Sequence, residues 1–328
     1  MQIVLRQLKF YAYHGVLAQE QVIGGHYEID LVLHIEDCDA RKALWHDQLE
    51  GTVNYAEVYE VVREEMKHPS ALLEHVAACI SRVLLRKFRM IRTVQIEVRK
   101  CVPPIEGFDG AGVSVRYEGQ RELMVWDFDG TIADTAGIIV RTMRIAFREC
   151  GLPVPAEEAV RQTIGLPLKQ SVRQLSQADE ETVQKVTDVY RRVFTDSGDK
   201  DVHLFPGILE AMQRQFHNGC FIAIATSRSH ESVVNLCRNL GIESYIDAIV
   251  ACEDVRRPKP DPDPVWELCR LLNAPVERTM VIGDTSFDMG MGRHAGSAHC
   301  VGVAWGNHTV EQLTEGGADQ IAYTADDL

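Results

Sequence analysis

Hydrophobic and polar positions alternate over residues 2 to 10 and again from Tyr27 to Ile35, with a turn around His14 and Gly15 between them. Both stretches predict half-buried β-strands. The period then lengthens. Asn54, an N-cap residue type with Glu57 three positions on, opens one helix. A second helix is predicted to open at Ser70, because LLEHVAACISRVLL carries apolar residues at i, i+3 and i+4. TVQIEVRK and AGVSVRY restore the alternation. Two strands, two helices and two strands predict an α+β unit built on an antiparallel sheet, in the order ββααββ.

After Gly119, Gln120 and Arg121 the pattern changes to short apolar runs: LMVWD (123–127), FIAIA (221–225), DAIVA (247–251), TMVIG (279–283) and HCVGV (299–303). Such runs, with helical patterns between most of them, predict a doubly wound α/β parallel sheet buried on both faces. The change puts a domain boundary near residue 120, dividing the chain into 1–119 and 120–328. Residues 151–203 are far too many for the ~2 to 6 residue loop of such a sheet. They predict a helical cap inserted into a core of 120–150 and 204–328.

Composition narrows the function classes. A chain of 328 residues has room for two cores. With 34 Lys and Arg against 48 Asp and Glu, the net charge of -14 disfavours nucleic acid and anionic membrane surfaces as partners. No apolar run reaches the ~18 residues of a membrane span, and the amino terminus reads as a strand rather than a signal peptide, so a cytoplasmic protein is expected. Cysteines at 38, 79, 101, 150, 220, 237, 252, 269 and 300 are scattered singly, without a CxxC pair for zinc or the density of a disulfide scaffold.

In VWDFDGTIADT, Asp127 ends a predicted strand and Asp129 follows two residues later. Ligands bind at the carboxyl ends of strands in open α/β sheets, and carboxylates this close require a compensating cation or a shared proton. Later strand ends supply partners. Thr226 and Ser227 follow FIAIA, Lys259 sits in RRPKPDP, and GDTSFDM places Asp284 and Asp288 four residues apart as oxygen donors suited to a hard cation.

DxDGT, the hydroxyl pair, the proline-flanked lysine and GDxxxD, in this order, resemble the haloacid dehalogenase superfamily of phosphatases. The insertion around IGLPLKQS resembles the helical cap of phosphoglycolate-phosphatase-like and β-phosphoglucomutase-like members. The resemblance implies that Asp127 is the nucleophile and Asp129 the general acid and base. It implies that Thr226, Ser227 and Lys259 hold the phosphoryl group, and that Mg2+ is bound by Asp127, the backbone carbonyl of Asp129 and Asp284, with Asp288 orienting a metal water or Lys259.

FYAYHGVLAQEQVIGGHYEIDL, GTVNYAEVYEVV, LLEHVAACI and VRKCVPPIEG, spread over residues 1–118, resemble dihydroneopterin aldolase. The resemblance implies a pterin-binding half-barrel that assembles into a homo-oligomeric ring, a tetramer or octamer, and needs no cofactor. Glu74 would anchor the pterin, with Glu20, Val53, Asn54 and Leu73 shaping its pocket. Lys100 would be the base, with a lowered pKa, and Tyr55 of a neighbouring subunit would assist. Ala12 and Cys101 depart from the commonest pattern. A related epimerase of dihydroneopterin triphosphate shares much of it, so epimerisation stays open. So does a first domain that only oligomerises a phosphoglycolate-type phosphatase. The pairing suggests an enzyme of folate synthesis that removes phosphate from dihydroneopterin phosphate and then cleaves the product.

Overall fold

The structure is a computed structural model that describes residues 1–35, 40–197 and 202–328. Cys38 lies outside the described residues, and every described cysteine is free. The chain divides into two compact units, Met1–Arg121 and Glu122–Leu328. Among the described residues no helix is long and apolar enough to cross a membrane.

The first unit runs β1 (Gln2–Ala12), α1 (Ala18–Ile23), β2 (Gly25–Ile35), α2 (Arg41–His46), α3 (Tyr55–Glu65), α4 (Leu73–Lys87), β3 (Ile91–Lys100) and β4 (Val113–Gln120). Its four strands form an antiparallel sheet in the order β1-β2-β3-β4. The alternation works as expected: Tyr27, Ile29, Leu31, Leu33 and Ile35 are buried while their neighbours are not. They pack with Val58, Val61 and Val62 of α3 and Val76, Ala77, Ile80 and Leu84 of α4 in one core. Asn54 does cap α3, its Oδ1 accepting from the Ala56 N–H at 3.0 Å. Ser70 does not open α4, which begins at Leu73. The Ser70 N–H instead donates to His14 Nδ1 and its carbonyl accepts from the Gly15 N–H, so the residue is held in a loop.

The second unit runs β5 (Leu123–Trp126), β6 (Ala133–Asp134), α5 (Ala136–Glu149), α6 (Glu157–Arg161), α7 (Leu168–Ser176), α8 (Glu180–Ser197), β7 (His203–Leu204), α9 (Ile208–His217) and β8 (Phe221–Ala225). It continues with α10 (His230–Asn239), β9 (Ala248–Val250), α11 (Asp263–Leu272), β10 (Thr279–Gly283), α12 (Ser286–Ala295), β11 (His299–Val303), α13 (Val310–Glu315) and β12 (Gln320–Ala322). Six strands form a parallel sheet in the order β12-β11-β10-β5-β8-β9. Helices α9 and α10 cover one face and α11, α12 and α13 the other, which is why all five residues of β8 are buried.

The insertion is helical, but it starts earlier than residue 151. Val140, Met143, Ala146 and Phe147 of α5 share a hydrophobic cluster with Val160, Val172, Val183 and Val186, so α5 packs as a cap helix. The antiparallel pair β6 and β7 closes the neck of the insertion.

Candidate active sites

β5 lies between β8, the next strand in this sheet, and β10, where the order turns to the other side, so a crevice opens at its carboxyl end. The Asp127 N–H still donates to the Ile282 carbonyl at 2.8 Å, extending the ladder and fixing the carboxylate at the sheet's rim. There Asp127, Asp284 and Asp288 converge, all buried, with carboxylate oxygens within 4.8 Å of one another. Lys259 Nζ, only 3% exposed, donates to Asp127 Oδ1 at 2.5 Å and Asp288 Oδ1 at 2.6 Å. Asp288 Oδ2 is held by the Thr285 N–H and hydroxyl at 3.0 and 2.6 Å. Asp284 accepts from the Thr131 hydroxyl at 3.1 Å and from both the backbone and side-chain N–H of Asn307 at 2.7 Å each.

Burial pushes the Asp127 carboxyl well above the usual range, against the pull of Lys259 and with help from Asp288 and Asp284. Burial, then Asp288, pushes Asp284 up to about 7, while Asn307 and Thr131 act against it. Burial opposes the Lys259 ammonium, yet Asp127 and Asp288 outweigh it and hold its pKa above the ordinary range. Three buried carboxylates converge where one ammonium pairs with two of them, and Asp127 Oδ2 is buried without a hydrogen-bond partner. This all-oxygen donor set fits a hard divalent cation.

Asp129 contributes no carboxylate to that cluster. Arg228 Nε donates to both of its oxygens at 2.8 Å, and the Thr135 hydroxyl donates to Oδ1 at 2.6 Å. The Arg228 guanidinium lies 4.6 Å from the ring centre of Phe194 on α8, a cation–π contact between core and cap. Thr226 Oγ1 accepts from the Arg228 N–H at 3.1 Å, and the Ser227 hydroxyl donates to the Gly165 carbonyl of the cap at 2.6 Å. Gly165 has φ +98°, and a Cβ there would lie 3.1 Å from Thr285 and 3.2 Å from Phe287. Only glycine lets the cap loop rest so closely on the core. A cavity of about 420 Å³ lies between cap and core beside Asp129, Ser227 and Arg228.

In the first unit, Lys100 ends β3 and is buried. Its Nζ donates to Glu20 Oε1 and, at 3.0 Å, to the His14 carbonyl, which also accepts from the Tyr27 hydroxyl at 2.5 Å. Gly15 has φ +152°, and a Cβ there would come within 2.3 Å of Glu20 Oε2, so only glycine leaves room for that carboxylate. Burial works against the Lys100 ammonium, but hydrogen bonds to Glu20 and Tyr27 prevail and raise its pKa. The lowered pKa expected of a base is therefore not found: Glu20 stabilises the charged form. Glu20 itself is pulled below its usual value, chiefly by its bond to Lys100. His14 is kept neutral, pushed down to about 4 by burial and by the charge of Lys100.

The other expected pterin-site residues make no hydrogen bond to this pair. Glu74 is exposed on the first turn of α4, Leu73 is half-buried, Val53 belongs to the core, Asn54 caps α3, and Tyr55 is 69% exposed. Arg228 and Asn307 were not singled out from sequence, and His14 only as part of a turn, although Arg228 directly follows the Thr226–Ser227 pair.

The dihydroneopterin aldolase family profile matches residues 3–118, and the haloacid dehalogenase-like hydrolase profile matches residues 124–303. The probable phosphatase IndB of Dickeya dadantii is 33% identical over 197 residues, 59% of this chain and 85% of that protein. Pyrophosphatase PpaX of Halalkalibacterium halodurans is 29% identical, across 53% of this chain and 79% of its own. A haloacid dehalogenase-like hydrolase structure from Bacteroides fragilis superposes with a TM-score of 0.60 at 25% identity, covering 64% of this chain and all of that one. The antiparallel unit followed by a doubly wound one, and both resemblances read from the sequence, are borne out. The chain thus belongs to the haloacid dehalogenase-like hydrolase family, carries a dihydroneopterin aldolase domain ahead of that fold, and is both a lyase and a phosphatase.

Proposed function

We propose that the second unit hydrolyses a phosphomonoester through an aspartyl-phosphate, with Mg2+, and that its substrate is dihydroneopterin phosphate. The observation that carries the mechanism is Asp127 Oδ2, a buried, unpartnered carboxylate oxygen beside the Lys259 ammonium. That oxygen bonds to phosphorus as the bond to the leaving oxygen breaks, and Asp129 gives the leaving oxygen its proton. Water, losing a proton to Asp129, then attacks the same phosphorus, releasing phosphate and restoring the Asp127 carboxylate. Thr226, Ser227 and Lys259 hold the phosphoryl oxygens. Asp127, Asp284 and the Asp129 carbonyl would hold Mg2+, with Asp288 orienting a metal water or Lys259, and the ion would supply positive charge to offset that of the phosphoryl oxygens.

In the first unit, Glu74 would anchor the pterin, and Lys100, in its uncharged form, would take the proton from the side-chain hydroxyl, with Glu20 beside it. The carbon–carbon bond then breaks, its electrons enter the dihydropterin ring, and the side-chain carbon left on the ring takes up a proton to become the hydroxymethyl group. The products are 6-hydroxymethyl-7,8-dihydropterin and glycolaldehyde. Tyr55 would act from a neighbouring copy in a tetramer or octamer. The first reaction would thus make the second one's substrate, a reading supported by the two domains sharing one chain.

Purified protein is given dihydroneopterin monophosphate and Mg2+, and phosphate and cleaved pterin are followed separately. Asp127→Asn is expected to lower phosphate release about a thousandfold or more while dihydroneopterin cleavage continues. Lys100→Ala is expected to do the reverse, and chelation to act like Asp127→Asn. Substantial phosphate release by Asp127→Asn would remove the nucleophile assignment.

A further inference from the structure

The cavity between cap and core carries information about the leaving group that the domain pairing does not. Its volume of about 420 Å³ falls in the range that holds ring-sized organic ligands, roughly 300 to 1,000 Å³. One end is Asp129 and Arg228, the groups nearest to where a leaving oxygen would depart. The walls above come from the cap: Met143 on α5, Ile164 in the turn between α6 and α7, Leu168 at the start of α7, and Tyr190 and Phe194 on α8. These present apolar and aromatic surface rather than a charged cage.

The charges around the cavity are already engaged or solvated. Arg228, partly buried, spends its Nε on both oxygens of Asp129 and its Nη1 on Ser232. Arg191 is exposed and Lys169 is only half-buried, and Glu231 faces the same space with the opposite sign. A leaving group with its own phosphate or carboxylate would lose hydration against apolar walls with no unengaged buried cation to replace it. A neutral ring would bury its faces there.

We infer that this cavity selects phosphomonoesters whose leaving group carries an uncharged ring, and discriminates against pyrophosphate and 2-phosphoglycolate. The inference rests on the reading of Asp127 as the nucleophile, and separates this chain from relatives called pyrophosphatase and phosphoglycolate phosphatase.

The test compares kcat/KM for benzyl phosphate, dihydroneopterin monophosphate, ethyl phosphate, 2-phosphoglycolate and pyrophosphate, using the full chain with Mg2+. Benzyl and ethyl phosphate release alkoxides of similar chemistry and differ in the ring. Benzyl phosphate is expected to exceed ethyl phosphate, 2-phosphoglycolate and pyrophosphate by about tenfold or more, the order of discrimination an apolar pocket gives. Leu168→Trp fills the cavity from the cap, away from the reacting groups. It is expected to lower benzyl phosphate turnover at least about tenfold and to leave ethyl phosphate within about threefold, so the small ester also reports correct folding. Ile164→Phe is a second filling variant with the same expectation.

Pyrophosphate or 2-phosphoglycolate matching benzyl phosphate would overturn the inference, as would a ring ester indifferent to both filling variants. Benzyl phosphate favoured over a slow pterin ester would uphold the cavity's selectivity and refute only the pterin as substrate. No turnover of any ester by the wild-type chain would refute the nucleophile reading, and this inference with it.

Discussion

Asn307 donates to Asp284 through both backbone and side chain, so Asn307→Ala removes one of three donors that aim a proposed metal ligand. Mg2+ affinity measured by calorimetry is expected to fall about 10- to 100-fold, as when ligand-orienting groups are lost. His14 plays the comparable part beside Lys100: its carbonyl receives the ammonium while its ring tethers the loop to Ser70. His14→Phe keeps the bulk but loses the Nδ1 acceptor, and is expected to lower the aldolase kcat about tenfold, while His14→Asn restores it. Equal kcat in all three proteins would refute the role. Linkage gives the pH dependence. His14 has a folded pKa of about 4 against a usual 6.5, so the unfolded chain binds the proton first, and stability falls as pH drops from about 6.5 to about 4. Lys100 has a raised pKa, so its contribution is present below the ordinary lysine value and lost as pH rises through the folded one. Glu20→Gln should move the ascending limb of the aldolase pH profile, set by Lys100 as base, to lower pH. Asp127 and Asp129 were legible because they are sequence neighbours on a strand end. Arg228 was not, because its partner Asp129 lies 99 residues away and only the fold joins them.

The cap shows why element boundaries are harder to read than element types. Helix α5 follows β5 as a sheet-covering helix would, and only the cluster it shares with α6, α7 and α8 shows that it belongs to the insertion. The periodicity of a helix records that one face is buried, not which layer buries it. Ser70 is a good N-cap type, yet tertiary hydrogen bonds to His14 and Gly15 claim its backbone and move the helix start to Leu73. Strand β12 escaped notice because three residues, QIA, are too few to show a pattern. The cap loop offers a prediction of its own. Gly165→Val must place a side chain against Thr285 and Phe287 from a left-handed backbone. It is expected to lower phosphatase kcat/KM about tenfold or more and to leave dihydroneopterin cleavage unchanged, both read on the same preparation.

The two units have separate cores, and every buried residue of the three clusters in the second unit lies beyond residue 122. Residues 122–328 expressed alone are therefore expected to keep phosphatase activity. The first unit exposes Val22 and Trp45 at 78%, Val102 at 76% and Tyr55 at 69%, apolar side chains open to contact with further copies. Light scattering is expected to find a tetramer or octamer for the full chain, and a monomer would remove the neighbour's Tyr55 from the proposed site. β4 ends at Gln120 and β5 begins at Leu123. Arg121 between them is 1% exposed and donates to the carbonyls of Leu85 at 2.6 Å and Phe88 at 3.1 Å, and to that of Ile91. This junction joins the two units covalently in one chain, so the two catalysts are made in equal numbers. Gene dosage and translation cannot tune one against the other; where the two reactions run in succession, as proposed, the slower turnover limits the sequence, and only mutation within a unit can change their ratio.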